Sequence, residues 1–254
     1  MWLKASWLSV LVIGCGDFTS SSGELGMLNY GLHTTYELDG ALTEVSLITR
    51  HSQSIHVDLS STAEESIADP WEITHSASQT GISISSDDTD EGNTNPPGFD
   101  VIAIEPGYYT VESYHNDELL DRIELMFDVP LNIDVISWIR PGQDDTFSTS
   151  STDQEVSIEL GTQVAFLPIP LDPNGERLIG DFNVTYTVEP KSAAVRTHNV
   201  IEVYENEGVL GAPANDSLVF IETGKVTVTI ADDLNGISTQ RVFTVTDSPT
   251  TTAR

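Results

Sequence analysis

The stretch Phe182-Asn183-Val184-Thr185-Tyr186-Thr187-Val188 alternates apolar and polar residues without a break. Successive side chains of an extended chain point to opposite faces, so a period of two gives one face to a core and the other to water. The same period recurs on either side. Downstream, Val200, Glu202 and Tyr204 suggest a strand, and Gly224-Lys225-Val226-Thr227-Val228-Thr229-Ile230 and residues 241–246 flank a turn at residues 232–236. Upstream lie Val156, Ile158 and Leu160, then residues 164–169, then the turn Asp172-Pro173-Asn174-Gly175, whose residue types each favour a reversal for a separate reason.

The first half has the same grain. Leu28, Tyr30, Leu32, Thr34, Tyr36 and Leu38 alternate up to Asp39-Gly40, a hairpin signal. Ile55, Val57 and Leu59 follow, then Trp71 and Ile73, a long polar loop over residues 87–98, and an apolar strand at 99–104. Glu105-Pro106-Gly107 turns the chain into residues 108–114, and after a second turn Leu119, Asp121, Ile123, Leu125 and Phe127 alternate. Pro130 and a fresh alternation at Leu131, Ile133 and Val135 mark a boundary with almost no linker, which predicts a stiff tandem. No segment sustains a helical period, although residues 62–68 have room for a turn or two. Short strands with frequent turn signals predict an all-β chain of two β-sandwich domains, 28–130 and 131–248, with a disordered tail at 249–254.

Residues 156–247 resemble bacterial Ig-like domains: an opening strand at 156–161, a central strand at 182–188 after an Asn-Gly turn, and 224–230 followed by Phe243-Thr244-Val245. Pro106-Gly107-Tyr108-Tyr109-Thr110-Val111 resembles the penultimate strand of the same kind of module. The resemblance implies two tandem Ig-like sandwiches serving as a spacer, adhesion or accessory element and not as an enzyme.

At the N-terminus a lone Lys4 precedes an apolar run, residues 5–13, interrupted by Ser6 and Ser9. A spanning helix needs about 20 apolar residues, so this run reads as a secretion signal. Val12-Ile13-Gly14-Cys15 resembles the lipobox of bacterial lipoproteins. The resemblance implies a signal peptide at 1–14, cleavage before Cys15, a diacylglycerol on its sulfur and a fatty acid such as palmitate on the new amino group. Several acyl chains anchor stably where one does not. Cys15 is the single cysteine of the chain, so it has no intramolecular disulfide partner. Residues 15–27, small and polar, are expected to form a flexible tether that lets the body stand clear of the bilayer. Under the Gram-negative sorting rule, Gly16 in place of Asp after the cysteine points to the outer membrane.

Charge excludes one class of partner. Forty acidic residues against ten basic ones give a formal net charge of −30, and Arg50, Arg122, Arg140, Arg177, Lys191, Arg196, Lys225 and Arg241 are scattered singly. Nucleic-acid binding needs a basic stripe. Membrane attachment is therefore expected through the N-terminal lipid alone.

No nucleophile elbow, zinc-protease motif or phosphate loop occurs, so no catalytic residue is nominated and no cofactor is implied. His51 and His56, five residues apart, fall on opposite faces of a continuous strand and make a poor metal pair, while His33, His75, His115 and His198 stand alone. Calcium, which takes oxygen ligands, is the alternative: Asp87, Asp88, Asp90, Glu91 and Asn93 crowd one loop, and Asp172 with Asn174 and Asp232 with Asp233 and Asn235 mark two turns. None completes a known calcium loop, and a solvated turn is the competing reading. Trp71, Tyr108, Tyr109 and Tyr114 are candidates for a glycan-stacking face or for core. The expected protein is a noncatalytic envelope lipoprotein presenting its sandwiches to a protein or glycan partner. A calcium-stiffened adhesion module and an accessory subunit or enzyme with an unrecognised site are the alternatives.

Overall fold

The computed structural model describes residues 17–34, 41–60, 67, 69–86, 97–141, 149–197, 203–205, 208–210 and 217–247. Their strands build two sandwiches. The first has one sheet in the order β1 (Asp17–Ser22), β2 (Leu28–Thr34), β4 (Gln53–Leu59), β7 (Phe99–Ala103), β6 (Ile82–Ser86). Its facing sheet runs β3 (Ser46–Ile48), β9 (Glu118–Asp128), β8 (Gly107–His115), β5 (Thr74–Ser76).

The second sandwich repeats this layout. One sheet runs β11 (Thr149–Ser151), β10 (Asn132–Arg140), β13 (Gln163–Leu171), β18 (Ser217–Phe220), β15 (Ala194–Thr197). The other runs β12 (Glu155–Glu159), β20 (Ile237–Thr246), β19 (Gly224–Asp232), β14 (Thr185–Glu189), and a hairpin of β16 (Val203–Glu205) and β17 (Gly208–Leu210) stands apart. With seven strands of each half lettered A to G in chain order, β2-β4-β7-β6 and β10-β13-β18-β15 are both A-B-E-D, and β9-β8-β5 and β20-β19-β14 are both G-F-C. That is the immunoglobulin order. In each half a short strand, β3 or β12, pairs parallel to the last one, and the other pairings are antiparallel. The chain is all-β, two tandem Ig-like sandwiches.

Alternation fills the cores. In β4, Gln53, Ile55 and Val57 point inward while Ser54, His56 and Asp58 face out. One cluster gathers Tyr30, Ile55, Val57, Phe99 and Phe127, the other Val135, Phe166, Phe220, Val228 and Phe243. Phe220 and Phe243 have ring centroids 4.8 Å apart, and Tyr109 meets Phe127 edge-on at 5.8 Å.

Two expectations are corrected. Residues 17–27 are not a flexible tether: Asp17–Ser22 is an edge strand in six-residue register with β2, and the turn that follows is bound to Asp121. An edge strand whose single apolar residue is Phe18 needs only its backbone ladder, so hydropathy does not announce it. The strand opening at Phe182 forms its ladder only from Thr185, although Phe182, Val184, Tyr186 and Val188 all pack on the second core as the alternation requires. The reason is that Asp181 and Phe182 are engaged by the other sandwich.

Candidate functional site

Cys15, residues 1–14 and 249–254, His198 and the acidic loop of Asp87, Asp88, Asp90, Glu91 and Asn93 lie outside the described residues, and so does the side chain of His33. His51 is 2% exposed, whereas the His56 ring is half exposed and sits 3.2 Å from Asp58, so the two do not meet. The other two acidic turns spend their carboxylates on themselves. Asp172 accepts the N–H groups of Asn174 at 2.8 Å and Glu176 at 2.7 Å, and the Asn174 side-chain amide at 3.1 Å. Burial works to raise the Asp172 pKa, but hydrogen bonds from Glu176, Asn174 and Gly175 outweigh it and hold the carboxyl below its usual range. Asp232 accepts the Leu234 and Asn235 N–H groups at 3.0 and 3.3 Å and the Asn235 amide at 2.8 Å. Both are turns closed by an aspartate side chain. Among the described residues no three His, Cys, Asp or Glu side chains gather to hold a metal. The tyrosines do not form one platform either: Tyr108 is 63% exposed, but Tyr109 is core, its hydroxyl donating to the Glu105 carbonyl at 2.9 Å. Tyr114 donates to Glu112.

One constellation has the geometry of a nucleophile and its base. Ser113 Oγ lies 2.8 Å from His75 Nδ1 and 2.7 Å from the Tyr30 hydroxyl, and His75 Nε2 lies 2.9 Å from the Pro97 carbonyl. A carbonyl only accepts, so Nε2 carries the proton and Nδ1 accepts from Ser113, which in turn accepts from Tyr30. Every group is satisfied with a neutral ring. Ser113 and Tyr30 are fully buried and His75 is 8% exposed, so the chain of bonds belongs to the core. Burial is the main influence that depresses His75, against the opposing bond to Pro97, and burial drives the Tyr30 phenol far above its ordinary pKa.

This arrangement predicts a pH dependence. The unfolded imidazole protonates near pH 6.5 while the folded one resists, so the contribution is intact above that pH. It is lost as pH falls from there towards the folded pKa, at up to about 1.4 kcal/mol per pH unit. Urea titrations from pH 8 to 5 are expected to show stability declining below about 6.5, and His75→Gln is expected to flatten that decline while lowering stability at pH 8. Equal slopes in the two proteins would refute it.

The most elaborate polar assembly joins the two sandwiches. Ile179, from the segment before β14, lies parallel to β3: the Ile48 N–H donates to its carbonyl at 3.1 Å and its own N–H donates to Ser46 at 2.9 Å. Its side chain, 1% exposed, belongs to the first sandwich's core cluster. Beside it the Asp181 N–H donates to Gln53 Oε1 at 2.7 Å, and a Cβ on Gly180 would collide with that same carboxamide. Arg50 donates to the Leu234 carbonyl at 3.1 Å. His51 Nε2 approaches Asp232 Oδ1 at 3.2 Å, with the ring 5.4 Å from that of Phe182. That approach is close without hydrogen-bond alignment, and both His51 nitrogens, Thr49 Oγ1 and Asn235 Oδ1 are buried without a hydrogen-bond partner. Buried polar atoms left this way cost free energy, which the Ile179 plug, its backbone ladder and the Gln53 and Arg50 hydrogen bonds together offset. Sequence reading found neither Ile179 nor Gln53. The one available signal was Gln53 in phase with Ile55 and Val57, a polar residue on a core-facing stripe.

No protein-family model matches this sequence, and no curated protein matches it. Among solved structures, it is similar to domains 5-6 of the S-layer protein SbsC at 15% identity, covering 82% of this chain and 95% of that one with a TM-score of 0.29. The Escherichia coli adhesin FdeC gives 12% identity, 81% and 62% coverage and a TM-score of 0.30. Cadherin-like domains 1 to 4 of zebrafish RET give 10%, 84% and 50%, and 0.31. Likeness at this level assigns no family and no activity.

Proposed function

We propose that this chain is a noncatalytic, lipid-anchored cell-envelope protein in which two Ig-like sandwiches act as one rigid presenting or spacing element. The observation that carries the reading is the seating of Ile179 in the core of the neighbouring sandwich. A joint made by core packing and a shared backbone ladder suits a rigid rod and not a hinged pair. The sealed Ser113–His75 pair and the self-consumed acidic turns support a noncatalytic role.

The anchor is Cys15, on the lipobox-like Val12-Ile13-Gly14-Cys15, with Gly16 favouring the outer membrane in a Gram-negative host. Because β1 begins at Asp17, a single residue, Gly16, stands between the lipidated residue and folded structure, a span of roughly 7 Å fully extended. The body therefore rests close to the bilayer surface. The test is Cys15→Ser with detergent phase partitioning and mass spectrometry of the mature N-terminus. Wild type is expected in the detergent phase with an acylated cysteine, and the variant in the aqueous phase. Identical partitioning would sink the lipoprotein reading.

A further inference from the structure

The two halves share more than strand order; their turn hydrogen bonds coincide. The Thr49 N–H donates to Asp128 and the Arg50 N–H to Ala103 at 3.0 and 2.7 Å, and the Leu160 N–H donates to Thr246 and the Gly161 N–H to Phe220, both at 2.8 Å. Arg50 and Gly161 both have positive φ, 65° and 86°. Likewise Ile104 N–H to Gly81 recurs as Ile221 N–H to Ala193. These matches fix a residue-by-residue correspondence across the turn: Ser46, Leu47, Ile48, Thr49, Arg50 and His51 stand where Ser157, Ile158, Glu159, Leu160, Gly161 and Thr162 stand in the second sandwich.

In the first sandwich this edge is the seat that Ile179 fills. In the second sandwich the equivalent edge, at the pole away from the joint, borders an open cleft of about 280 Å³ lined by Ile139, Pro141, Ser157, Ile158, Glu159, Thr162 and Thr246. Ser157 and Glu159 are the counterparts of Ser46 and Ile48, which bond to the Ile179 backbone, Ile158 is the counterpart of Leu47, which pairs with it, and Thr246 is the counterpart of Asp128, from which the chain passes into the plugging module. Exposure follows the difference in occupancy. Thr49 is fully buried, while its counterpart Leu160 is 37% exposed, and Ser46 is half-buried where Ser157 is exposed. Among the described residues no segment is laid against β12 as Ile179 is against β3, and the part of the cleft built by Ile139, Pro141 and Ile158 offers an apolar floor for one.

We propose that this pole is a docking seat for a further β-sandwich module, which would enter with an extended aliphatic-Gly segment laid parallel to β12. Continuity with the existing joint argues for that occupant: the same fold, the same edge and the same exit strand receive such a segment 111 positions earlier (Leu47 against Ile158). The two seats differ in their polar groups: Glu159 stands for Ile48, Leu160 for Thr49, and Gly161 for Arg50. Thr162 and Val164 replace His51 and Gln53, so the polar cross-contacts of the first joint have no counterpart. Docking at the pole rests on the aliphatic plug and the backbone ladder, and it is weaker and reversible. The inference is independent of lipid anchoring.

The test extends the chain so that residues 129–254 follow Thr246, reproducing the natural Val129-Pro130-Leu131 connection. Ser157→Cys is placed in the inner copy only, with Cys15→Ser throughout. Maleimide labelling of that thiol is expected to slow roughly tenfold relative to the unextended chain, as about 90% occupancy of the seat dictates. Ile179→Asp in the appended copy is expected to restore the faster rate. That side chain packs on the neighbouring sandwich and not on its own core, so the appended module still folds. Labelling at the unextended rate would overturn the proposal, as would slowing that survives Ile179→Asp. Concentration-dependent protection of the unextended chain would also overturn it, by giving the seat to a second copy.

Discussion

Gly180→Ala is expected to be among the most damaging single-methyl additions in the molecule, lowering unfolding free energy by about 3 kcal/mol or more. Two causes act together. Gly180 has φ of +116°, a region that residues with a Cβ rarely occupy, and its Cβ would be built onto the Gln53 carboxamide. Gln53 is fully buried and cannot swing away without abandoning the Asp181 N–H, leaving its own buried carboxamide oxygen without that partner. The damage falls on the joint, so hydrogen exchange at Ser46–Ile48 should accelerate before exchange in the second core. Urea unfolding reads the magnitude, and a double-mutant cycle reads the cause. In a Gln53→Ala background the collision is gone, and Gly180→Ala should cost at least 1 kcal/mol less than in wild type, since contacting residues couple by about that amount or more. Full additivity would show that backbone strain alone carries the effect. Ile179→Ala offers a second measure, about 2–5 kcal/mol for a truncated core aliphatic, with no backbone strain involved.

Strands with a buried face were readable, because alternation is a direct record of which side chains meet the core: β4, β8, β9, β19 and β20 follow it closely. Elements held by backbone alone were not. Asp17–Ser22 carries no apolar stripe, and three-residue β3 is too short to show a period. The duplicated topology is likewise silent, since what the halves share is register and turn geometry: Arg50 and Gly161 play one role with unrelated side chains. Leu178-Ile179-Gly180 carries no signal of its role because Ile179 faces another domain's core, and a local pattern has no means of recording a partner from elsewhere in the chain. Spacing alone does not distinguish His75, locked in a core network, from His51, set in a joint. The lipobox-like motif was legible as a motif, and it bears on residues that only chemistry at Cys15 will test.

Asp121 was visible in the same alternation as a carboxylate on the inward stripe of β9, between Leu119 and Ile123, and it leads to the second large effect. Its side chain is fully buried, and its two oxygens accept four backbone N–H groups: Leu25 and Arg122 at 2.8 Å on one, Met27 at 2.7 Å and Leu28 at 2.8 Å on the other. Gly23 lies against the carboxylate so closely that no Cβ fits there. The turn between β1 and β2 is thus wrapped around one acidic side chain. Asp121→Ala leaves four donors without an acceptor in a site too enclosed for free solvation, and a loss of about 3–5 kcal/mol is expected. Asp121→Asn should recover little of it, because its amide turns one of the two acceptors into a donor facing donors. Asp121→Glu keeps the charge but carries an extra methylene into a filled space, and it should also fail to restore wild type. The consequence is local before it is global: with the turn released, β1 loses its anchor and keeps only an edge ladder to β2, so proteolysis at residues 23–27 and hydrogen exchange across Asp17–Ser22 should rise together. Unchanged protection of β1 in Asp121→Ala would show that the ladder alone suffices. If protection is lost, this carboxylate is what makes Asp17–Ser22 a strand and not a tether.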